Sequence, residues 1–271
     1  MNEWRRKDRW VIQLFLLFAL GISCEDLIEY SPYQNIVRDK WKEQNITNYQ
    51  QLKNEEKNNF EPFKIALISD THTYYDAFNK QVDYINTLQD IDFVIHLGDI
   101  TLSALNREFN WYSTIINGLK YPVITVIGNH DCLSNGYDIY TNMFGPSNFC
   151  FAYKDVKFVI FDDIVWEKDI EHMNFKWLST ALKNDQNYSY VIPFAHLPPW
   201  DDQFSFGDEF LYNHFMEKYN IDLSIHGHSH RFELFNPYGK VNYLTVPSCN
   251  RDQLVIISFQ PDTILWENVS Y

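Results

Sequence analysis

Five short runs of β-branched and aromatic residues each end in a small polar cluster, and this repetition constrains the fold more than any other feature. FKIALIS (63–69) runs into Asp70-Thr71-His72, and DFVIHLG (92–98) into Asp99. YPVITVIG (121–128) ends in Asn129-His130-Asp131, SYVIPFA (189–195) in His196, and IDLSIHG (221–227) in His228-Ser229-His230. Runs of this length and composition read as strands with both faces buried. Stretches near 76–90 and 106–118 separate the first three, the former with Phe78, Val82, Ile85 and Leu88 at helical spacing. A β-α-β-α-β order predicts a parallel sheet with right-handed crossovers.

The second half is more mixed. FCFAY (149–153) and VKFVIFD (156–162) read as a hairpin around Lys154-Asp155, followed by helices near 172–184 and 208–219. RFELF (231–235), VNYLTVP (241–247) and QLVIISF (253–259) read as antiparallel strands, with a turn at Tyr238-Gly239. The expectation is an α/β fold of two packed mixed sheets with helices outside. With 271 residues, 45% of them hydrophobic, the chain can build one substantial core.

In α/β sheets ligands bind beyond the carboxyl ends of the strands. Five polar ends can share one cleft, and their residue types point to metal. Asp, Asn and His offer oxygen and imidazole ligands without thiolate, which suits Mn, Fe or Zn. Asp-x-His and His-x-His place two ligands on one side of an extended backbone, because side chains alternate at period two. A shared Asp can bridge two ions about 3.5–4 Å apart, which clamp a phosphoryl group and hold a hydroxide for in-line attack. Two divalent ions against Asp70, Asp99 and a hydroxide leave a net positive site, able to bind phosphate within an acidic protein.

Asp-x-His or Gly-Asp alone means little, whereas Gly-Asn-His-Asp (128–131) and Gly-His-x-His (227–230) are far rarer. All five clusters in order, each behind a strand-like run, resemble the calcineurin-like (purple-acid-phosphatase-like) metallophosphoesterases over roughly residues 61–260. The resemblance implies a four-layer α/β/β/α sandwich, two divalent metal ions and a phosphate-ester substrate, monoester or diester. It implies Asp70, His72, Asp99 and His230 around one ion. Asp99 then bridges to a second ion held with Asn129, His196 and His228. His130 becomes the residue that faces substrate and protonates the leaving oxygen or binds phosphate. One departure stands out: many members carry an acidic residue three positions after the bridging Asp, and here it is Leu102, which cannot orient His130. The alternative is a non-catalytic surface protein on the same fold. Such proteins usually lose ligands, and none is missing here.

Other polar residues read more plainly. His96 and His226 lie within strands and are expected to be buried and hydrogen-bonded. His172 and His214 are expected at the surface. Asp131 is assigned a turn or supporting bond, and Cys132 simple packing. Arg231 and Arg251 either reach a phosphate or are ordinary surface arginines. The aromatic stretch 200–215 follows His196 directly and either walls the cleft or forms a core helix with a surface loop. Residues that bind the rest of the substrate are not assigned.

The N-terminus differs in character. Arg5, Arg6, Lys7 and Arg9 precede an apolar run at 10–22, shorter than the about 20 residues of a membrane span. This is the pattern of a secretory signal. Ser23 before Cys24 resembles a bacterial lipoprotein cleavage site, and Glu25-Asp26 resembles a signal for the outer surface. The expected organisation is a lipoprotein-type signal peptide at 1–24, a polar arm at 25–60 carrying at most one packed strand or helix, and a catalytic domain at 61–271. Cys24 is then the lipidated residue, anchoring an exported protein to a membrane at the bacterial outer membrane or cell surface. An ordinary cleaved signal, giving a periplasmic or secreted protein, is the alternative. Cys132, Cys150 and Cys249 allow at most one disulfide. The three glycosylation sequons, Asn45-Ile46-Thr47 among them, are read as chance matches. A net charge of −14 with no basic stripe argues against nucleic acid as a partner.

Overall fold

The computed structural model describes residues 34–54 and 60–271, so the apolar N-terminal run and Cys24 lie outside the described residues. In chain order the first elements are α1 (Gln44–Asn54), β1 (Phe63–Ile68), α2 (Tyr75–Thr87), β2 (Phe93–His96), α3 (Asn106–Ile116), β3 (Val123–Thr125) and α4 (Gly136–Phe144). The chain continues with β4 (Phe149–Tyr153), β5 (Val156–Ile160), α5 (Phe175–Ala181), β6 (Tyr190–Phe194), α6 (Phe206–Lys218) and β7 (Leu223–His226). It closes with β8 (Glu233–Phe235), β9 (Asn242–Thr245), β10 (Gln253–Gln260) and β11 (Thr263–Ser270). Among the described residues no helix is long and apolar enough to cross a membrane.

The strands form a five-stranded sheet, order β11-β10-β1-β2-β3, and a six-stranded sheet, order β4-β5-β6-β7-β9-β8. Each is mixed. β1, β2 and β3 run parallel, as do β5, β6, β7 and β9, while β10, β11, β4 and β8 pair antiparallel with their neighbours. Side chains alternate along a strand, so each buried strand serves two layers. Ile65, Leu67, Phe93, Ile95 and Ile124 of the first sheet share one cluster with Phe158, Ile160, Phe194, Ile225 and Leu244 of the second. The alternate residues Ala66, Ile68 and Val94 belong instead with Phe78, Val82, Phe109 and Tyr112 of α2 and α3. On the second sheet Val159, Val191 and Tyr243 join Leu178 of α5 and Tyr212 and Met216 of α6. This is the expected arrangement of helices outside two packed sheets. Phe63 and Phe259, register partners on β1 and β10, stack with centroids 4.5 Å apart.

Two elements escape the periodicity reading. α4 is built from YDIYTNMF, aromatic and β-branched residues of modest helix propensity. Packing of Ile139, Tyr140, Met143 and Phe144 into the core holds it as a helix. β11 pairs along all of β10, but its outward residues are exposed, Leu265 among them, so it lacks the continuous apolar run of the other strands. The helix expected at 172–184 is the shorter α5, started by Asn174, whose side-chain oxygen accepts from the Trp177 N–H. Within RFELF only Glu233–Phe235 is strand.

The amide-rich stretch before β1 does more than tether. Val37 and Leu52 are buried, and α1 lies along the open edge of β3. The buried Asn45 amide accepts from the Thr125 N–H and donates to the Thr125 carbonyl, both at 2.8 Å. Asn48 donates to the Val123 carbonyl at 2.7 Å. These side chains take the place of a missing neighbouring strand and cover an edge that would otherwise invite pairing. The expected arm at 25–60 is therefore packed onto the domain over residues 34–54. The same contacts occupy the Asn45 side chain that a sequon would require. Asn45→Ala leaves the Thr125 N–H buried without its acceptor. The expected loss is about 1–3 kcal/mol, read as a lower urea midpoint at unchanged slope.

Candidate metal centre

Parallel strands end on the same side, and here the ends of both sheets meet. Ser69, just past β1, forms a parallel bridge with Ser248, past β9, and the Ser248 hydroxyl donates to the Asp70 carbonyl at 2.8 Å. His196 Nδ1 donates to the Leu97 carbonyl at 2.6 Å, and the His228 N–H donates to Asp70 Oδ2 at 3.1 Å. All five polar strand ends thus reach one place.

The backbone that aims them is not extended. Asp70, His72, Asp99, His228 and His230 all have positive φ, between 42° and 65°. The period-two explanation for Asp-x-His and His-x-His is therefore wrong, although the residues do converge. Each ligand pair sits on a left-handed kink, a conformation that costs non-glycine residues on the order of 1–3 kcal/mol. Glycine makes room for it. A Cβ on Gly128 would lie 2.1 Å from the Asp99 nitrogen and 2.3 Å from its Oδ1. Gly98 has φ +94°, and a Cβ there would lie 2.7 Å from the Gly128 nitrogen and 2.8 Å from His196 Nδ1.

Asp99 lies at the centre. Its Oδ2 is 3.6 Å from His72 Nε2 and 3.3 Å from His196 Nε2, and its Oδ1 accepts from the His130 N–H at 2.9 Å. Ligand atoms gather within 4.8 Å of one another in three sets: Asp70, His72 and His230; His72, Asp99 and His130; and Asp99, His196 and His228. His230 Nε2 stands 3.4 Å from Asp70 Oδ1 and 3.3 Å from His72 Nε2. His72 donates from Nδ1 to the Thr101 carbonyl at 2.9 Å, so His72 and His196 both turn Nε2 inward. His228 is the reverse. Its Nε2 meets Asp201 at 2.9 Å and its Nδ1 is buried without a hydrogen-bond partner among the described residues. Asn129 Oδ1 is likewise buried and unpartnered among them. Buried polar atoms normally find partners, so these orphans beside a carboxylate are what a cation would satisfy.

The charges agree. Burial opposes ionisation of Asp70 and Asp99, yet neighbouring imidazoles, His230 for Asp70 and His196 for Asp99, hold both carboxyls below their ordinary range. Burial would neutralise His196, but the Asp99 charge and hydrogen bond, with help from Asp70, push it up. The Asp70 hydrogen bond raises His230 against its burial. Burial lowers His72 in spite of Asp99 and Asp70.

The remaining sequence candidates separate clearly. His96 and His226 are fully buried, and burial lowers both to about 3, so they are neutral. His96 Nδ1 accepts from the Gly98 N–H, and His226 bonds Ser224. His172 is largely exposed beside Asp208, and His214 is exposed. Asp131 fastens two loops: its carboxylate accepts from the N–H groups of Ile100, Thr101 and Gly128 and from the Thr101 hydroxyl. Burial, then the Asp99 charge, raises Asp131 to about 7. Cys132 is packed in the core, and Cys132, Cys150 and Cys249 are all free thiols. Arg231 pairs with Glu233, and Arg251 is exposed. The stretch 200–215 forms a turn and α6; its Asp201 reaches His228, and its Gln203 reaches Glu167 behind Asn129.

His130 brings a correction. The Leu102 side chain cannot orient it, but the Leu102 carbonyl does, accepting from Nδ1 at 2.7 Å. Its ring stands edge-on to His72, centroids 4.8 Å apart, and it is partly open to solvent. Sequence reasoning missed the residues behind the strand ends. Glu167 accepts from Asn129 Nδ2 at 3.0 Å and from Gln203 at 3.3 Å. Asp163 accepts from the N–H groups of His196 and Leu197, and burial drives its carboxyl well up. The strand-end rule applied to VKFVIFD would have reached Asp162-Asp163. Glu167 lies too far into the loop for that.

With this geometry established, the sequence matches the Calcineurin-like phosphoesterase family over residues 63–232. No curated protein matches. Among solved structures the fold resembles a dimetal phosphatase from Danio rerio, with TM-score 0.59, 12% identity, and 77% of this chain and 96% of that one covered. It also resembles GAP50, the anchor in the inner membrane complex of Plasmodium, with TM-score 0.57, 15% identity and coverage of 77% and 84%. A third is a 5'-nucleotidase from Candida albicans, with TM-score 0.53, 15% identity and coverage of 79% and 52%. At these identities the likeness is one of fold.

Gly128→Ala tests the close approach. The added methyl must displace Asp99, and overpacking of this kind costs about 3 kcal/mol. Thermal unfolding is expected to show that loss. A variant as stable as the parent would mean the loop is loose.

Proposed function

The chain belongs to the calcineurin-like phosphoesterase family and is a hydrolase acting on phosphoric esters, and we propose that its strand-end side chains divide between two divalent ions. Asp70, His72, Asp99 and His230 would hold one, and Asp99, Asn129, His196 and His228 the other. The observation that carries this reading is the shared position of Asp99 in two ligand clusters, flanked by the orphaned atoms of Asn129 and His228. The oxygen and imidazole donors suit Mn, Fe or Zn. When bound, such ions neutralise a phosphoryl group and lower the pKa of water for attack on phosphorus.

The chain's own residues do the positioning. Glu167 fixes the Asn129 amide so that Oδ1 faces inward, and Asp201 does the same for His228 Nδ1. His130, with Nδ1 engaged by Leu102, presents Nε2 to the open side, where it can give a proton to the leaving oxygen. A carbonyl fixes the tautomer without adding charge, so good leaving groups gain most from this site. The reading covers phosphate monoesters and diesters alike.

The deciding assay follows bis-p-nitrophenyl phosphate and p-nitrophenyl phosphate after chelation and after return of Mn, Fe, Zn or Mg. Metal-restored turnover is expected, and Asp99→Asn is expected to lose metal and at least a hundredfold in rate, on the order of the effect of removing a major electrostatic group. Full turnover by that variant sinks the assignment. The same titration has a signed pH dependence. His196 and His230 hold protons above the ordinary imidazole range in the metal-free protein, and these must leave before either nitrogen binds metal. Metal affinity should rise with pH through neutrality, with protons released on binding. A flat affinity between pH 6 and 8 argues against these two histidines as ligands.

We also propose that the protein is exported and anchored through a lipid on Cys24. The support is the basic-apolar order of residues 5–24. Cys24→Ala should move the protein from the membrane pellet to the soluble fraction. Continued pelleting would mean that no lipid on this cysteine holds it.

A further inference from the structure

Apolar side chains are exposed around the mouth of the metal centre. Tyr74 is 41% exposed, Leu102 44% and Trp166 62%. Exposed apolar residues scattered singly are ordinary, but a contiguous set beside a site marks a contact surface. Each of these neighbours a residue of the centre. The Tyr74 ring stands 6.2 Å from that of His72, and the Leu102 carbonyl holds His130. The Trp166 backbone N–H donates to the Gln203 side chain at 3.4 Å, and its neighbour Glu167 holds Asn129. The rim therefore passes from the His72 side, past His130, to the Asn129 side.

Among the described residues, two cations in neighbouring segments are already engaged. Lys168 pairs with Asp162 at 2.7 Å and Arg231 with Glu233 at 3.0 Å. The mouth thus offers apolar contact rather than recognition of further negative charge. The residue that replaces the usual acidic partner of His130 adds to the same surface, since Leu102 contributes an exposed isobutyl group.

We propose that this rim binds a large apolar group esterified to the phosphate, so that the substrate is an amphiphilic phosphodiester: one phosphate at the metal centre and an alkyl chain on Tyr74, Leu102 and Trp166. The proposal rests on the hydrolase reading above. Hydrolysis adds water across the P–O bond to the leaving group, which departs with a proton, while the alkyl ester stays on the phosphate.

The test uses the full chain and alkyl p-nitrophenyl phosphates from methyl to octyl, each kept below its aggregation concentration. Leaving group and chemistry stay constant while only the apolar group grows. A fully buried methylene is worth about fourfold, and a half-open rim less. We expect kcat/KM to rise about tenfold from methyl to octyl, mostly through KM. Trp166→Ser and Tyr74→Ser should each lower the octyl-to-methyl ratio about threefold, a change that general loss of folded protein would not produce. A ratio near one in the parent, with the methyl ester or p-nitrophenyl phosphate still hydrolysed, overturns the rim and leaves the hydrolase reading standing. A ratio unmoved by both substitutions does the same. No turnover of any ester with any metal removes the hydrolase reading, and the rim proposal with it.

Discussion

The Asp99 carboxylate is the constraint on which the rest of the centre depends. It is almost completely buried, and an isolated buried carboxylate costs several kcal/mol. It persists as an anion because imidazoles from two sheets surround it, His72 from the loop after β1 and His196 from the loop after β6. Neither sheet could supply that environment alone. Packing two sheets on one apolar layer, with parallel strands in each, brings their carboxyl ends to one edge. The charge cluster is a product of the layer architecture, and the apolar layer in turn supplies the stability that a cluster of like and unlike charges does not.

The left-handed residues extend the same argument. Five of the clustered side chains stand on positive-φ backbone, a cost that only a surrounding structure can sustain. Asp131, with its four donors, ties the loop after β2 to the loop after β3, and the two glycines let the backbones touch. Rigidity here serves chemistry, since a ligand set must be held near its working geometry before any ion arrives.

How much of this the sequence discloses depends on the range of the interaction. Strands with both faces buried announce themselves as apolar runs, and their polar ends as breaks in those runs, so most strands and the converging residues are legible, whereas the pairing of β10 with β1 in the first sheet and of β9 parallel to β7 is not. The backbone conformation that aims Asp70 and His72 is not, because an Asp-x-His spacing reads the same on an extended strand and on a kink. Backbone acceptors are invisible too: Leu102 looks like a lost partner for His130, yet its carbonyl does the orienting. Asn45 and Glu167 act across long sequence separations, on Thr125 and Asn129, and amides and carboxylates in polar stretches carry no period to betray them. α4 is hidden for the opposite reason, since tertiary packing overrides its weak propensity.

The electrostatics leave a last consequence. A chain with net charge −14 repels phosphate at long range, and at physiological ionic strength the repulsion fades within about 8 Å. Attraction must then come from inside the cleft, where divalent ions held by Asp70 and Asp99 would leave the balance positive. Such a centre would favour one phosphate, while the net negative charge of the chain opposes a second. Binding energy beyond that single phosphate must come from contacts that carry no charge. In this molecule the exposed Tyr74, Leu102 and Trp166 can supply such contacts, so an acidic chain would tell one ester from another by apolar contact.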